Sequence, residues 1–250
     1  MFDVVVPLKD SSVNDWSEFR FFLRSLKNVK NLGCVFVLGK RVPSWLNVDE
    51  VVFVELEDEF RCKQMNVINK LLKFCSDKRC PSGFVVVNDD FLFLKESVLS
   101  EVLFVRSSLN NLIKEKNNTG LSSSKYLSAV KASESFLMKN GRSSLDFELH
   151  FPMFFEKDKF VEVFSSVPWR SESFVWRSLY GNWFLEDFDL VELKEDFKCY
   201  SGYDFGRLLK GFFLSSSAKV EKARWFLDWR AEFFSGECVF EKSFRGDKYE

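Results

Sequence analysis

Short apolar runs alternate with amphipathic stretches through the first hundred residues. Val4-Val5-Val6 is a β-branched run closed by Pro7, which predicts a buried strand over Asp3–Pro7. A polar loop, Lys9-Asp10-Ser11-Ser12, follows. Trp16, Phe19, Phe22, Leu23 and Leu26 then recur at helical spacing. Cys34–Gly39 reads as a second strand, Pro43–Leu46 as a turn and Val51–Leu56 as a third strand. Met65, Ile68, Leu71, Leu72 and Phe74 mark the inner face of a second helix, and Phe84–Val87 is a fourth strand. This βαββαβ order predicts an α/β fold with a mostly parallel sheet flanked by helices.

Beyond residue 105 the strand pattern weakens. Asn110–Ser124 is polar and reads as a loop or acceptor lid. Helical spacing returns at Lys157–Ser165, Ser171–Asn182 and Ala218–Phe234, ahead of a polar tail. The expected organisation is one domain. Residues 1–105 form its nucleotide-binding and metal-binding half, and residues 106–250 a mainly helical, acceptor-side half.

Composition narrows the class. Apolar residues at 46% and charged residues at 29% indicate a packed core, not a disordered chain. The 31 phenylalanines are read as compositional bias, not as a special aromatic surface. A net charge of −1 gives no global support to nucleic-acid binding, which needs a basic surplus to displace counterions. The six cysteines form no C-x-x-C pair and suggest reduced thiols in the cytoplasm. No secretory leader and no run of roughly 20 apolar residues is expected.

The strongest chemical signal is the end of the fourth strand, Val87-Asn88-Asp89-Asp90-Phe91. Ligands of open α/β sheets gather at the carboxyl ends of strands. Carboxylates there suit Mg²⁺ or Mn²⁺ bridging a diphosphate; the bland alternative is a turn whose acids cap a helix. His150, the only histidine, sits rigidly before Phe151-Pro152, where a metal ligand, a phosphate contact or a general base are all open. Arg177 has the fork geometry for phosphate, though a surface ion pair is the common fate of an arginine. Arg20 and Arg24, one turn apart beside Glu18, form either a solvated face or a nucleotide contact. No G-x-x-x-x-G-K-[ST], G-x-G-x-x-G or G-x-S-x-G motif is present.

Taken in order, these segments resemble the Stealth family of sugar-phosphate transferases. Asp3-Val4-Val5-Val6-Pro7-Leu8-Lys9-Asp10 is similar to that family's D-V-V-Y-T-W-V-D block, and Ser17-Glu18-Phe19-Arg20-Phe21-Phe22-Leu23-Arg24-Ser25 to N-E-L-R-Y-S-L-R-S. Pro43-Ser44-Trp45-Leu46 fits P-x-W-L, Val87–Phe91 resembles F-N-D-D, and His150-Phe151-Pro152 matches H-x-P. Leu8-Lys9 replaces Trp-Val in the first block, and Met153 stands where a second histidine is usual. The resemblance covers residues 3–182 and implies a GT-A-like nucleotide-sugar fold. It implies metal binding at Asp89 or Asp90, with His150 and Arg177 near the diphosphate; Asp89, Asp90 and His150 are the candidate metal ligands, His150 alternatively contacting phosphate. It also places Asp10 and Arg20 near the nucleotide; Arg24, Asn66 and Asn88 complete the candidate donor contacts.

The expected function is metal-dependent transfer from a nucleotide diphosphate-sugar, with a UDP-sugar as the guess. Asp89, Asp90, His150 and Arg177 would carry it, moving sugar-1-phosphate to an acceptor hydroxyl. The first rival is a glycosyltransferase moving the sugar alone, onto a glycan or, if the compact chain is phage-encoded, a modified DNA base. The second is a non-catalytic binding module.

Overall fold

A computed structural model describes residues 1–9, 16–119, 124–194 and 196–242. Its centre is a five-stranded sheet in the order β3-β2-β1-β4-β7. β1 (Phe2–Pro7), β2 (Leu32–Gly39), β3 (Val52–Glu55) and β4 (Gly83–Val86) run parallel. Val4, Val5 and Val6 are fully buried, and Val5 lies between Phe36 and Val86. A strand covered on both faces needs an unbroken apolar run, which is why the β-branched residues are contiguous.

α1 (Ser17–Ser25) and α2 (Lys63–Cys75) occupy the two predicted helical stretches. β5 (Phe91–Phe93) leaves the tip of β4, and β6 (Leu103–Val105) follows. α3 (Leu109–Thr119) takes the place of the expected loop at 110–119. Leu109, Leu112 and Ile113 are buried at i, i+3 and i+4, a stripe masked in sequence by its asparagine-rich outer face. α4 (Ser124–Lys139) packs on α3.

Among the described residues the C-terminal half is mainly helical, as expected, but it also carries four short strands. β7 (Met153–Glu156) joins the central sheet antiparallel to β4, with Phe155 opposite Phe84. α5 (Lys157–Ser166) and α6 (Trp176–Trp183) follow, so the helix predicted from Ser171 starts five residues later. β8 (Leu190–Glu192) pairs with β6. β9 (Lys198–Cys199), α7 (Gly202–Leu208) and β10 (Phe213–Ser216) lead to α8 (Arg224–Phe233), which starts six residues after the predicted start at Ala218. β5, β10 and β9 make a small sheet of their own. Strands of two to four residues carry no readable period.

Many phenylalanines prove to be core. Phe36, Phe74, Phe84, Phe155 and Tyr180 form a continuous ring chain from β2 to α6, with centroid separations of 5.1, 5.8, 6.3 and 4.5 Å. Such contacts add about 0.5–1.5 kcal/mol each beyond area burial. A second apolar cluster, including Leu92, Leu214 and Phe226, lies under the small sheet. Among the described residues no helix is long and apolar enough to cross a membrane.

Candidate active site

Two adjoining cavities open at the carboxyl edge of the parallel strands. The smaller, of about 400 Å³, is bounded by Pro7, Leu8 and Lys9 at the end of β1, by Asp58, Phe60 and Arg61 after β3, and by the start of α2. Its floor is fixed by Lys70, only 2% exposed, which donates to the Leu8 carbonyl at 2.7 Å and pairs with Asp58 at 2.8 Å. Asn66 also lines it. The Asn66 amide both donates to the Phe60 carbonyl and accepts from the Phe60 N–H, each at 2.7 Å, so it shapes the wall. With Lys9, Arg61, Lys63 and Lys70 against Asp58, this lining is basic.

The larger cavity, of about 450 Å³, is walled by α2, α3, α4, α6 and the 148–150 segment. Lys63 and Val67 belong to both cavities. Lys63 is the first residue of α2, where unpaired amides and the helix dipole favour an anion. Across the larger cavity stand Asn88, His150 and Arg177, three residues singled out in sequence, from three separate stretches of chain. Arg177 is 4% exposed; its Nη2 donates to Asn88 Oδ1 at 3.2 Å and its Nη1 to the Leu149 carbonyl. His150 is held by Asp196, whose Oδ2 lies 2.7 Å from Nδ1 and whose Oδ1 accepts the His150 N–H at 2.8 Å. Burial alone would raise the Asp196 carboxyl, but His150 beside it brings it down to about 2.

Glu148 was not among the residues picked from sequence, although it lies two positions from His150. Its Oε1 accepts from the Ser178 N–H at 2.9 Å and the Ser178 hydroxyl at 3.1 Å. Burial pushes this carboxyl up to about 7, with Arg177 opposing. A cavity carboxyl near neutrality is suited to proton transfer. Trp176, Tyr126 and Tyr200 add aromatic surface to the same cavity. Asp196, Lys63 and these aromatics sit in no motif; only the fold gathers them.

Asp89 and Asp90 do not line either cavity. Asp90 Oδ2 meets Lys198 Nζ at 2.5 Å, and Asp90 Oδ1 accepts from the Ser215 hydroxyl at 3.0 Å. Burial opposes ionisation of Asp90, but Lys198, His150 and Lys63 outweigh it and hold the group low; burial and the Asp90 charge raise Asp89. The residues do not fit the expected divalent cation. Both Asp90 oxygens are engaged, His150 Nδ1 is committed to Asp196, and the described residues contain no cluster of three or more His, Cys, Asp or Glu side chains able to hold a metal.

Arg20 and Arg24 likewise line neither cavity, which corrects their reading as donor contacts. Both bind Glu241 near the C-terminus: Arg20 Nε at 2.6 Å, Arg24 Nε at 2.5 Å and Arg24 Nη2 at 2.9 Å. The i, i+4 spacing that suggested a shared ligand supplies one, a carboxylate of the chain itself. Asp10 lies outside the described residues.

No protein-family model matches the chain, and no curated protein matches it significantly. Among solved structures, the galactosyltransferase LgtC, determined with donor and acceptor sugar analogs, is similar with a TM-score of 0.51 and 10% identity, over 98% of this chain and 99% of that one. The Streptococcus pneumoniae glycosyltransferase GlyE has a TM-score of 0.48 at 10% identity, over 94% of this chain and 60% of that one. Mouse xyloside xylosyltransferase 1 has a TM-score of 0.42 at 8% identity, over 96% of each chain. At such identities the first likeness is one of fold: the chain has a mixed α/β architecture, a mostly parallel sheet flanked by helices, shared with a GT-A galactosyltransferase along nearly its whole length.

Proposed function

We propose that this chain is a nucleotide-sugar-dependent transferase that moves a glycosyl group to an acceptor hydroxyl. The observation that carries the reading is the junction of the two cavities at Lys63, with Arg177 in the larger one. A nucleotide-sugar has the matching plan, a nucleoside and a sugar joined by a diphosphate. The basic smaller cavity takes the nucleoside, Lys63 and the α2 terminus take the diphosphate, and the larger cavity takes the sugar and acceptor. Full-length similarity of fold to a galactosyltransferase solved with donor and acceptor analogs agrees with that assignment.

In this reaction the acceptor oxygen attacks the anomeric carbon, the bond to the diphosphate oxygen breaks, and nucleoside diphosphate leaves. Glu148 takes the acceptor proton. Lys63 and Arg177 offset charge growing on the leaving phosphate. His150, oriented by Asp196, holds the acceptor side. A second reading, transfer of sugar-1-phosphate with nucleoside monophosphate leaving, is favoured by one observation. Asn88 and His150, each from a Stealth-like block, meet Arg177 at one cavity.

The test is incubation with a panel of nucleotide-sugars, followed by chromatography of the released nucleotide. Diphosphate supports glycosyl transfer and monophosphate the second reading. If no donor raises the melting temperature and none is consumed, the transferase assignment is wrong.

A further inference from the structure

We infer that the Lys198 ammonium stands where a divalent cation is expected, so that the Asn88-Asp89-Asp90 strand tip carries its own cation and takes no metal. Two strands build this arrangement. Lys198 on β9 and Ser215 on β10 are cross-strand partners, and Ser215 is in turn paired with Phe91 on β5, the residue after Asp90. The small sheet therefore presents an ammonium and a hydroxyl side by side to one carboxylate. Lys198 Nζ also donates to Ser215 Oγ at 3.1 Å, and the Ser216 N–H donates to the Asp90 carbonyl at 3.0 Å, which closes the bracket. Side-chain exposure is 11% for Lys198 and 16% for Asp90, so the pair is largely withdrawn from water.

A hard divalent ion binds carboxylate oxygens at about 2.0–2.2 Å, and an ammonium already on the same carboxylate repels it at that range. To enter, it must evict a largely buried ammonium and leave that charge unpaired. The neighbouring Glu221 is balanced without it, paired with Arg230 at 2.5 Å. One lysine thus supplies the positive charge on the strand-tip side of the larger cavity, and Lys63 and Arg177 supply it at the cavity itself. The functional meaning of the inference rests on the nucleotide-sugar reading, but its structural content does not.

The experiment is a Mn²⁺ titration of the EDTA-stripped protein, followed by electron paramagnetic resonance of free aqueous Mn²⁺. Wild type should leave the free signal undiminished at equimolar metal. Lys198→Ala should gain one Mn²⁺ per chain, and Lys198→Ala with Asp90→Asn should lose it. Circular dichroism verifies folding, and Lys198→Ser replaces the alanine variant if that one does not fold. The inference is overturned if wild type binds one Mn²⁺ that Asp90→Asn abolishes, or if the folded Lys198 variants gain none. The titration uses no donor, so it fails separately from the transferase reading. In a thermal-shift series with nucleotide-sugars, EDTA should leave any donor-induced stabilisation unchanged; its loss with EDTA, restored by Mn²⁺, would overturn the inference.

Discussion

The Arg177 guanidinium donates to Asn88 Oδ1 across 3.2 Å, which joins the first turn of α6 to the tip of β4. Its other terminal nitrogen reaches the Leu149 carbonyl, so one side chain ties together three of the segments that line the larger cavity. Arg177→Lys keeps a charge but loses the fork. We expect its turnover to fall about 10²–10³-fold, the range for removing one preorganised donor, with the melting temperature lowered. Unchanged kcat in a folded Arg177→Lys protein would remove Arg177 from the chemistry.

Glu148 makes a pH prediction with a definite sign. A base must be ionised, so turnover should rise with pH through about 7, the value to which burial pushes this carboxyl. Glu148→Gln should abolish that step and most activity; a profile that keeps its rise near 7 in the glutamine variant assigns the proton to another group.

The same group acts on stability in the opposite direction. Its folded value lies above the ordinary 4.5, so between about 4.5 and 7 the folded state binds more protons than the unfolded one. Stability therefore falls as pH rises through that window. Glu18, also raised to about 7 by burial and by Glu221, adds to the effect. Chemical denaturation of wild type should show greater stability at pH 5 than at pH 8. Glu148→Gln should flatten the difference by about 1–3 kcal/mol. An equal slope in wild type and variant refutes the assignment.

Glu241 tests the corrected role of the two arginines on α1. Both of its oxygens are bound and its side chain is buried. Glu241→Ala leaves two guanidinium groups without their acceptor and should cost about 2–3 kcal/mol, with earlier proteolysis of the C-terminal segment. Donor affinity should not change. A large loss of donor affinity at full stability would return Arg20 and Arg24 to the nucleotide.

Gly181, one helical turn beyond Arg177, is a close-approach position. A Cβ there would lie 2.7 Å from the ring of Phe147, which is 2% exposed and has no room to move aside. Gly181→Ala should destabilise by about 1–3 kcal/mol through overpacking, read as a lower denaturant midpoint. If Gly181→Ala is neutral, the packing of α6 on the 147–150 segment is looser than described.

The parallel strands were legible because fully covered strands demand contiguous β-branched residues, as Val4-Val5-Val6 and Val85-Val86-Val87 show. α3 was not, because its three buried residues are outnumbered by asparagine and lysine facing water. Asn88, His150 and Arg177 were legible from order and local context. Glu148, Asp196 and Lys198 were not, since an isolated carboxylate or lysine carries no period and its role is set by partners distant in sequence. The same blindness misassigned Arg20 and Arg24, whose partner lies more than two hundred residues away.

Asp196 and Lys198 flank Phe197, whose ring packs into Phe151 and Phe213. Residues two apart on extended chain leave from the same side, and here one fastens His150 and the other Asp90. Both fastenings thus share a single register. An insertion or deletion of one residue between Asp196 and Lys198 would turn one of the two polar groups to the opposite side of the chain, away from its partner. Length in that short stretch is therefore under tighter constraint than the identity of most residues around it.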